Sequence, residues 1–388
     1  MPNNKLSRRE FLNLSSFSLG GFALATLPGE WWKRLSQTEY QTQLIETATS
    51  DSQITPPFPA RLEEQDYGKL MRVAIHEVDL RAAPSDKGEI IGKRYRDQLV
   101  HVYYELEPAD APAFYNRLWY RVWGGYLHSS YLQPVEIRFN ESPGASVNPQ
   151  IRKEGQLCEV TVPYTQSYRY DPYAGWQVEY RLYFGTTHWV TGIKAGPDGE
   201  PWYCITDELQ PWDYMVPTSH LRPIPDEEFA PLSPDVPWEA KRIEVDLARQ
   251  TLTAYEKKQV VLKTRISSGI PSSTPPENGI PTDTPQGYFN IYSKMPSKHM
   301  GDGSLMRGDL NLDAYELVGV PWTSFFHKPE TGYAFHGTYW HNNFGWQMSH
   351  GCINMHNADA KWLFRWTTPV SPSTEVETRG YGTQVHVF

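Results

Sequence analysis

The sequence has little cysteine, no long block of lysine or arginine and only a modest share of charge. Its 388 residues include three cysteines, too few for a fold held together by disulfides. The 36 basic and 45 acidic side chains leave a formal charge of −9, so the chain lacks the basic surface that nucleic-acid binding requires. A charged fraction of 21% is also low for a coiled coil. Nucleic acid is therefore not an expected partner.

Proline, glycine and aromatic residues, in contrast, are abundant. The 32 Pro, 28 Gly, 24 Tyr and 14 Trp favour short strands joined by many turns over long helices. A hydrophobic fraction of 39% is too high for a disordered chain. At roughly 150 residues per domain, the length predicts two or three domains. We expect a folded, mainly β protein.

The N-terminus has the pattern of an export signal. Lys5, Arg8 and Arg9 precede an uncharged, largely apolar stretch over residues 11–27. The run S-R-R-E-F-L at 7–12 resembles the twin-arginine signal. Residues 1–27 are therefore predicted to be a signal peptide or, if uncleaved, a membrane anchor; an amphipathic first helix is the alternative. Residues 28–69 are polar and proline-containing, which indicates a linker, and the folded part is expected to lie outside the cytoplasmic membrane.

Two segments of short alternating strands follow the linker. Residues 70–137 contain V-D-L-R-A-A-P and L-W-Y-R-V-W-G-G-Y-L-H-S-S-Y-L, which resemble bacterial SH3-like domains, small wall-binding or positioning modules. An unrelated small barrel without a ligand is the alternative. Residues 151–225 repeat this order of strands loosely and are predicted to form a second, degenerate SH3-like domain. Their aromatic residues are more typical of packing than of a peptide-binding groove.

The C-terminal segment, 238–388, is predicted to be a third β domain. Residues 241–247 alternate charged and apolar side chains with a period of two, and residues 382–387 supply a closing strand. Residues 357–366 have helical spacing, with Asn357 as a candidate N-cap. The stretch from Ser293 to Phe326 is interpreted as a long loop that covers a substrate cleft.

Cys352 stands in a sequence context suited to acyl transfer. A neutral thiol is a poor nucleophile, so it needs a nearby base, and the oxyanion formed by its attack on a carbonyl needs hydrogen-bond donors. His336 lies sixteen positions upstream, and His350 lies two positions before the thiol. Gly351 allows a close backbone approach, and the amides around Gly351 and Cys352 are natural oxyanion donors. If Cys158 and Cys204 form a disulfide, which is a guess, Cys352 remains a lone thiol.

The stretch H-G-T-Y-W-H-N-N-F-G-W-Q-M-S-H-G-C-I-N-M resembles the signature of L,D-transpeptidases. The resemblance covers roughly 238–388 and implies a β-sandwich catalytic domain with Cys352 as nucleophile and His336 as its base. It also implies that the carbonyl of Gly337 steadies the imidazole, that Gly351 helps form the oxyanion pocket, and that other residues shape the site: His350, Ser349 and Asn354. The implied substrate is a stem peptide of peptidoglycan, and the implied acceptor is an amine of another stem or of a protein.

The sequence therefore predicts a mainly β protein with two small SH3-like barrels followed by a β-sandwich L,D-transpeptidase catalytic domain, exported to the cell wall or periplasmic space. No cofactor is implied, because thiol and imidazole supply the chemistry. Membrane contact is expected only through an uncleaved N-terminal segment. Three alternatives remain: hydrolysis of the thioester by water, a non-catalytic wall-binding protein, and zinc binding by the cluster His336, His341, His350, Cys352 and His356.

Overall fold

A computed structural model describes residues 69–109, 116–141, 151, 155–272, 279–301 and 316–388. The predicted signal peptide and all but the last residue of the predicted linker lie outside these residues. Two compact units are present: the first runs to Ile137 and includes Pro197–Glu200, and the second comprises Arg138–Gly196 and Pro201–Phe388. Strands dominate both units, which confirms the mainly β prediction. No helix in the described part of the chain is long and apolar enough to cross a membrane.

The described residues of the first unit form eight short strands. They are β1 (Lys69–Val73), β2 (Glu77–Arg81), β3 (Ile90–Tyr95), β4 (Leu99–Val102), β5 (Tyr104–Leu106), β6 (Trp119–Val122), β7 (Gly125–His128) and β8 (Leu132–Val135). They form a three-stranded sheet, β4-β1-β8, and a five-stranded sheet, β3-β2-β7-β6-β5. Apolar side chains from both sheets, such as Val73 and Leu127, share one core. Since the hydrogen-bonded sheets do not close on themselves within the described residues, the SH3-like barrel stays a prediction.

A seven-stranded antiparallel sheet opens the second unit. Its strands are β9 (Gln156–Val160), β10 (Tyr164–Asp171), β11 (Gly175–Tyr183), β12 (Thr187–Ala195), β13 (Pro201–Ile205), β14 (Tyr214–Pro217) and β15 (Leu221–Pro223), in the order β11-β10-β14-β13-β12-β9-β15. Cys158 and Cys204 are both buried free thiols, so the guessed disulfide is wrong. The two side chains belong to different apolar clusters of this sheet, which keeps their sulfur atoms apart.

Ten further strands form two five-stranded sheets. They are β16 (Lys241–Asp246), β17 (Thr251–Glu256), β18 (Gln259–Arg265), β19 (Gly287–Asn290), β20 (Ser293–Met300), β21 (Leu317–Phe325), β22 (Ala334–Gly337), β23 (Ile353–Met355), β24 (Thr378–Arg379) and β25 (Gln384–Val387). The sheet orders are β18-β17-β16-β25-β19 and β23-β22-β21-β20-β24. Their inner faces bury one core that includes Val245, Val385, Phe335 and Ile353. The C-terminal strand β25 lies inside the first of these sheets, parallel to β16 and antiparallel to β19.

The described residues include one α-helix, α1 (Asn357–Trp366), which packs against β21 and β22 and covers the predicted helical residues, with His356 at the N-cap position in place of Asn357. The buried ammonium group of Lys294 donates to the carbonyls of Thr367 and Pro369, at 3.0 and 2.8 Å, and to that of Phe364. These bonds satisfy carbonyl groups at the negative end of the helix dipole, so they hold the end of α1 against β20.

The stretch from Ser293 to Phe326 is not the long loop that the sequence suggested. Strands β20 and β21 account for most of its described residues and pair in an antiparallel hairpin, from Ser293 opposite Phe325 to Met300 opposite Leu317. Residues 302–315 lie outside the described part of the chain. The length of this stretch and its K-H-M-G-D-G segment at 298–303 suggested a loop, but many residues of β20 and β21 are buried, which favours strands.

The seven-stranded sheet and the two following sheets share their hydrophobic cores. Leu157 and Trp189, from β9 and β12, belong to the large core that the two five-stranded sheets and α1 enclose. Val318, from β21, belongs to the core of the seven-stranded sheet. The shared cores explain why Arg138–Gly196 and Pro201–Phe388 form a single compact unit.

Candidate active site

The parallel pairing of β22 with β23 brings Cys352 and His336 to one face of the sheet. Phe335 lies opposite Ile353 and both point into the core, whereas His336 lies opposite Asn354. Cys352 immediately precedes Ile353 and packs near Ala334. Ala334 and His336 point to the same side of β22, because side chains alternate along a strand. Since Cys352 packs near Ala334, the thiol lies on the side of the sheet that carries His336.

The imidazole of His336 is buried and held in one tautomer. Its Nδ1 lies 2.8 Å from the carbonyl oxygen of Gly337, which can only accept, so Nδ1 carries the proton and Nε2 is the basic nitrogen. Burial lowers the pKa of His336 to about 4, and the bond to Gly337 opposes this shift. The ring is therefore neutral at pH 7 and able to take a proton through Nε2.

Asn357 and Gly185 hold the backbone at Gly337. A Cβ at Gly337 would lie 2.4 Å from the amide oxygen of Asn357 and 2.8 Å from Cγ of Pro321, so only glycine fits there. The amide nitrogen of Asn357 in turn donates to the carbonyl of Gly185, at 3.2 Å. A segment of the seven-stranded sheet thus supports the carbonyl that orients His336.

Cys352 is partly buried and rests as a neutral thiol. Its Sγ lies 3.7 Å from the carbonyl oxygen of Gly332, to which the thiol donates. Burial raises the pKa of the thiol to about 11, and a hydrogen bond from the backbone of Ala334 opposes this shift. Since thiol and imidazole are both uncharged near pH 7, the proton has to move to His336 as the sulfur attacks.

A network of hydroxyl groups fixes the turn that precedes Cys352. The hydroxyl of Ser349 accepts the N–H of Gly351 at 3.1 Å and donates to the carbonyl of Cys352. The hydroxyl of Thr284 donates to the carbonyl of Gly351 at 2.8 Å and accepts the N–H of Gly269 at 2.9 Å. The N–H of Gly351, one of the two amides expected to bind an oxyanion, is therefore engaged with Ser349 in this conformation.

Gly351 has a backbone conformation that other residues rarely adopt, with φ at +115°. A Cβ there would lie 2.3 Å from Cε1 of Tyr333. The hydroxyl of Tyr333 donates to the carbonyl of Pro281 at 2.6 Å, which keeps the buried ring in place. Tyr333 therefore acts as a wall behind the turn that carries the thiol.

The amide of Asn354 connects to His341 beneath the site. The backbone N–H of Asn343 donates to Nδ1 of His341 at 3.1 Å, so Nε2 of this neutral ring carries the proton. The amide nitrogen of Asn354 lies 2.8 Å from that nitrogen; an exchange of the amide oxygen and nitrogen would let Asn354 accept the proton. Asn354 and His341 are both buried and hold β23 against the 338–343 segment.

The five residues proposed as a zinc cluster make other contacts. Nδ1 of His336 bonds to a backbone carbonyl, His341 bonds to Asn354, and the His356 ring packs on Phe344 with centroids 3.8 Å apart. Across the described residues, no three His, Cys, Asp or Glu side chains come together as a metal site. His350 is half-buried next to the turn.

Three residues around the site were missed as functional candidates: Tyr333, Thr284 and Asn357. Thr284 stands in the T-P-Q-G-Y-F stretch that contributed to the resemblance, but its hydroxyl bridge joins segments 67 residues apart. Asn357 was identified only as an N-cap, whereas its side chain lies between Gly185 and Gly337. No local pattern in the sequence predicts these contacts, since each depends on distant segments.

Comparisons with known proteins agree with this geometry in one part of the chain. Residues 240–387 match the family model YkuD, described as the L,D-transpeptidase catalytic domain. A search of curated proteins found no match.

Several solved structures are similar to this chain. An L,D-transpeptidase mutant of Enterococcus faecium is 28% identical, with 39% of this chain and 50% of that chain covered and a TM-score of 0.28. An L,D-transpeptidase of Xylanimonas cellulosilytica is 25% identical, with coverages of 43% and 64% and a TM-score of 0.28. The chain thus spans about half to two thirds of the length of these two proteins. An L,D-transpeptidase of Mycobacterium smegmatis is 17% identical, with coverages of 66% and 90% and a TM-score of 0.28. Over residues 240–387, the chain is therefore similar to the L,D-transpeptidase catalytic domain.

Proposed function

We propose that the protein is a peptidoglycan L,D-transpeptidase that works through a thioester on Cys352. The observation that supports this most directly is the pairing of a neutral thiol with a neutral, tautomer-fixed imidazole on one sheet face of the matched domain. Sulfur attacks the carbonyl between the L-centre of diaminopimelate, or its equivalent, and the terminal D-Ala of a stem tetrapeptide. The thiol proton passes to Nε2 of His336 and then to the leaving amine, so D-Ala departs and the acyl group stays on sulfur.

The second half of the reaction transfers the acyl group to an amine. The acceptor amine attacks the thioester carbonyl, gives its proton to Nε2 of His336, and forms a new amide as the thiol leaves with that proton. The carbonyl of Gly337 keeps Nδ1 protonated throughout. Ser349 and Gly351 hold the turn, while His350 and Asn354 shape the cleft around the reacting carbonyl.

The test is the intact mass of the full chain after exposure to a carbapenem, which acylates an activated thiol as the donor peptide would. We expect one adduct in the wild type and none in Cys352→Ala. Cys204→Ala is the matched control and should keep the adduct, since Cys204 is buried and burial raises the pKa of its thiol. An adduct that persists in Cys352→Ala, or its absence from a folded wild type, would refute the proposal.

The acylation rate should also depend on pH with an acid limb near pH 4. Because burial lowers the pKa of His336 to about 4, Nε2 is free to accept a proton above that value and becomes protonated below it. We expect a rate that is nearly constant from pH 5 to 8 and falls tenfold per unit below pH 4. Stopped-flow measurement of carbapenem acylation checks this; a limb centred near pH 6.5, the value of an exposed histidine, would contradict it.

The remaining segments are proposed to deliver this chemistry to the wall. Residues 1–27 would direct export to the cell wall or periplasmic space, with membrane contact only if they are retained. Residues 28–69 would serve as a linker. Of the two segments interpreted as SH3-like, 70–137 is the better candidate for wall binding, because residues 151–225 include core positions of the catalytic region, such as Leu157 and Trp189. The proposed donor substrate is a peptidoglycan stem peptide, and the proposed acceptor is an amine of a second stem or of a protein.

A further inference from the structure

Strand β20 joins the candidate active site to the seven-stranded sheet. Met295 and Ser297 lie two residues apart and point to the same side of this strand, and His299 lies at a register shift in the pairing of β20 with β21. Met295 packs in the small cluster that also contacts Cys352. Ser297 donates its hydroxyl to the carbonyl of Thr187, and Thr187 donates back to the carbonyl of Pro296 at 2.7 Å. His299 lies about 13 Å further along the strand from Met295, given the rise per residue.

His299 is enclosed between two carboxylates from different segments. Its Nδ1 lies 2.8 Å from Asp207, which follows β13 of the seven-stranded sheet, and its Nε2 lies 3.0 Å from Glu316, which precedes β21. All three side chains are buried, with exposed fractions of 2%, 4% and 7% for His299, Asp207 and Glu316. A neutral imidazole can donate from only one nitrogen, so two facing carboxylates require the doubly protonated ring.

Among the described residues, Lys298 supplies a positive charge beside His299 and is paired with Glu208. The carboxylate of Glu208 accepts the backbone N–H of His299 at 2.6 Å and pairs with Lys298 at 2.8 Å. The hydroxyl of Tyr180 donates to Glu316 at 3.2 Å, and the hydroxyl of Tyr214 donates to Asp207 at 3.4 Å. The buried ring of His188 also faces this cluster. Gln210 donates to the hydroxyl of Tyr180.

Burial of this cluster has a high free-energy cost unless its charges balance. Two buried carboxylates without a cation between them would repel each other in a medium of low dielectric constant. Burial by itself would lower the pKa of His299, but its hydrogen bonds to Asp207 and Glu316 raise the pKa to about 9. The imidazolium therefore joins the turn after β13 to both strands of the β20–β21 hairpin at neutral pH.

We propose that His299 is a positioning residue for the acyl transfer: its ion pairs with Asp207 and Glu316 hold the hairpin in place, and the hairpin in turn holds Met295 and Phe325 beside Cys352. The inference rests on the proposed function. It implies that the seven-stranded sheet, through Asp207, helps to position the residues around Cys352. His299 touches neither the thiol nor His336, so its effect on the reaction is transmitted along β20.

The clamp formed by Asp207, His299 and Glu316 has a defined pH dependence. The pKa of His299 is about 9 in the folded protein and close to 6.5 when the chain is unfolded. A raised pKa stabilises the folded state fully below pH 6.5, and this contribution is lost as the pH rises through 9. The hairpin should therefore loosen between pH 8 and 10.

The experiment compares the full-length wild type with His299→Gln and with the double variant Asp207→Asn, Glu316→Gln, which removes both carboxylates at constant size. Carbapenem acylation of Cys352 is measured from pH 6 to 10, together with amide hydrogen exchange of the peptides that cover 293–301 and 317–325. His386→Gln is the control, a histidine on β25 that stacks on the exposed Tyr288.

We expect both variants to acylate at least tenfold more slowly than the wild type at pH 7, with a change in the acylation rate constant and little change in carbapenem affinity. The ratio of wild-type to variant rates should shrink towards one by pH 10, since the wild type loses its clamp there. Exchange of the two hairpin peptides should be faster in both variants at pH 7 and unchanged in the control.

Two results would overturn the inference. The first is a rate ratio that stays constant across the pH range, which would indicate a general loss of stability only. The second is hairpin exchange that is identical in the wild type and both variants. If the wild type forms no adduct at all but the exchange differences are present, the proposed function fails while the clamp itself stands.

Discussion

Substitution of His336 by glutamine is expected to slow carbapenem acylation of Cys352 by about a thousandfold at pH 7. The thiol has a pKa of about 11, so only about one molecule in ten thousand carries the thiolate at pH 7 without a base. In the wild type, Nε2 of His336 removes the proton during attack and avoids this cost. Glutamine has a similar reach, so it can occupy the space without acting as a base.

The pH profile of the His336→Gln variant gives a sharper test than the loss itself. The residual rate should rise tenfold per pH unit towards pH 11, because only the spontaneously formed thiolate reacts, whereas the wild-type rate should be flat from pH 5 to 8. The measurement is the acylation rate followed by mass, with circular dichroism to confirm the fold. A variant with a flat profile and near wild-type rate would show that another group deprotonates Cys352.

Substitution of Gly351 by alanine is expected to reduce acylation by more than a hundredfold and to destabilise the fold. The new Cβ would lie 2.3 Å from the ring of Tyr333, and the φ of +115° is unfavourable for any residue with a Cβ. Backbone strain of this kind costs about 1–3 kcal/mol. Overpacking of a well-filled site costs a further 1–3 kcal/mol or so. A backbone movement that relieves the strain or the steric overlap would displace Cys352 relative to His336.

Gly175→Ala is the control for Gly351→Ala, because Gly175 also has a positive φ, +72°, but no atom lies within 4 Å of its added Cβ. It should lower the free energy of unfolding by the backbone contribution alone and leave acylation unchanged. Urea unfolding and the acylation rate measure the two effects. If Gly351→Ala acylates at the wild-type rate, the turn is not the rigid support for the thiol that its contacts indicate.

Local patterns were sufficient for several elements of this protein. The alternation of Ile243, Val245 and Leu247 with charged neighbours predicted β16, and the spacing of apolar residues predicted the helix over 357–366. The roles proposed for Cys352 and His336 could be predicted because the two residues lie sixteen positions apart within one motif. Each of these patterns lies within a short stretch, so the period or spacing of its residues is evident from the sequence.

Other features depended on segments far apart in sequence. With three cysteines in the chain, Cys158 and Cys204 could form a disulfide, but they are free thiols in different apolar clusters of the sheet. The β20–β21 hairpin was interpreted as part of a long loop, with the stretch K-H-M-G-D-G at 298–303 inside it. The carbonyl groups that Lys294 contacts at the end of α1 become neighbours only after folding.

The sequence by itself determined the mainly β architecture, the C-terminal catalytic domain and the two residues proposed to carry the reaction, because period and motif are local properties of the chain. Tertiary structure alone decided how those residues are supported. Three contacts provide this support: Asn357 between Gly185 and Gly337, Tyr333 behind Gly351, and His299 between Asp207 and Glu316. Each contact joins segments that are separated in the sequence, so no short pattern predicts it. Burial decided the charge states as well, since the pKa values of His336, Cys352 and His299 follow from the groups that packing places around them.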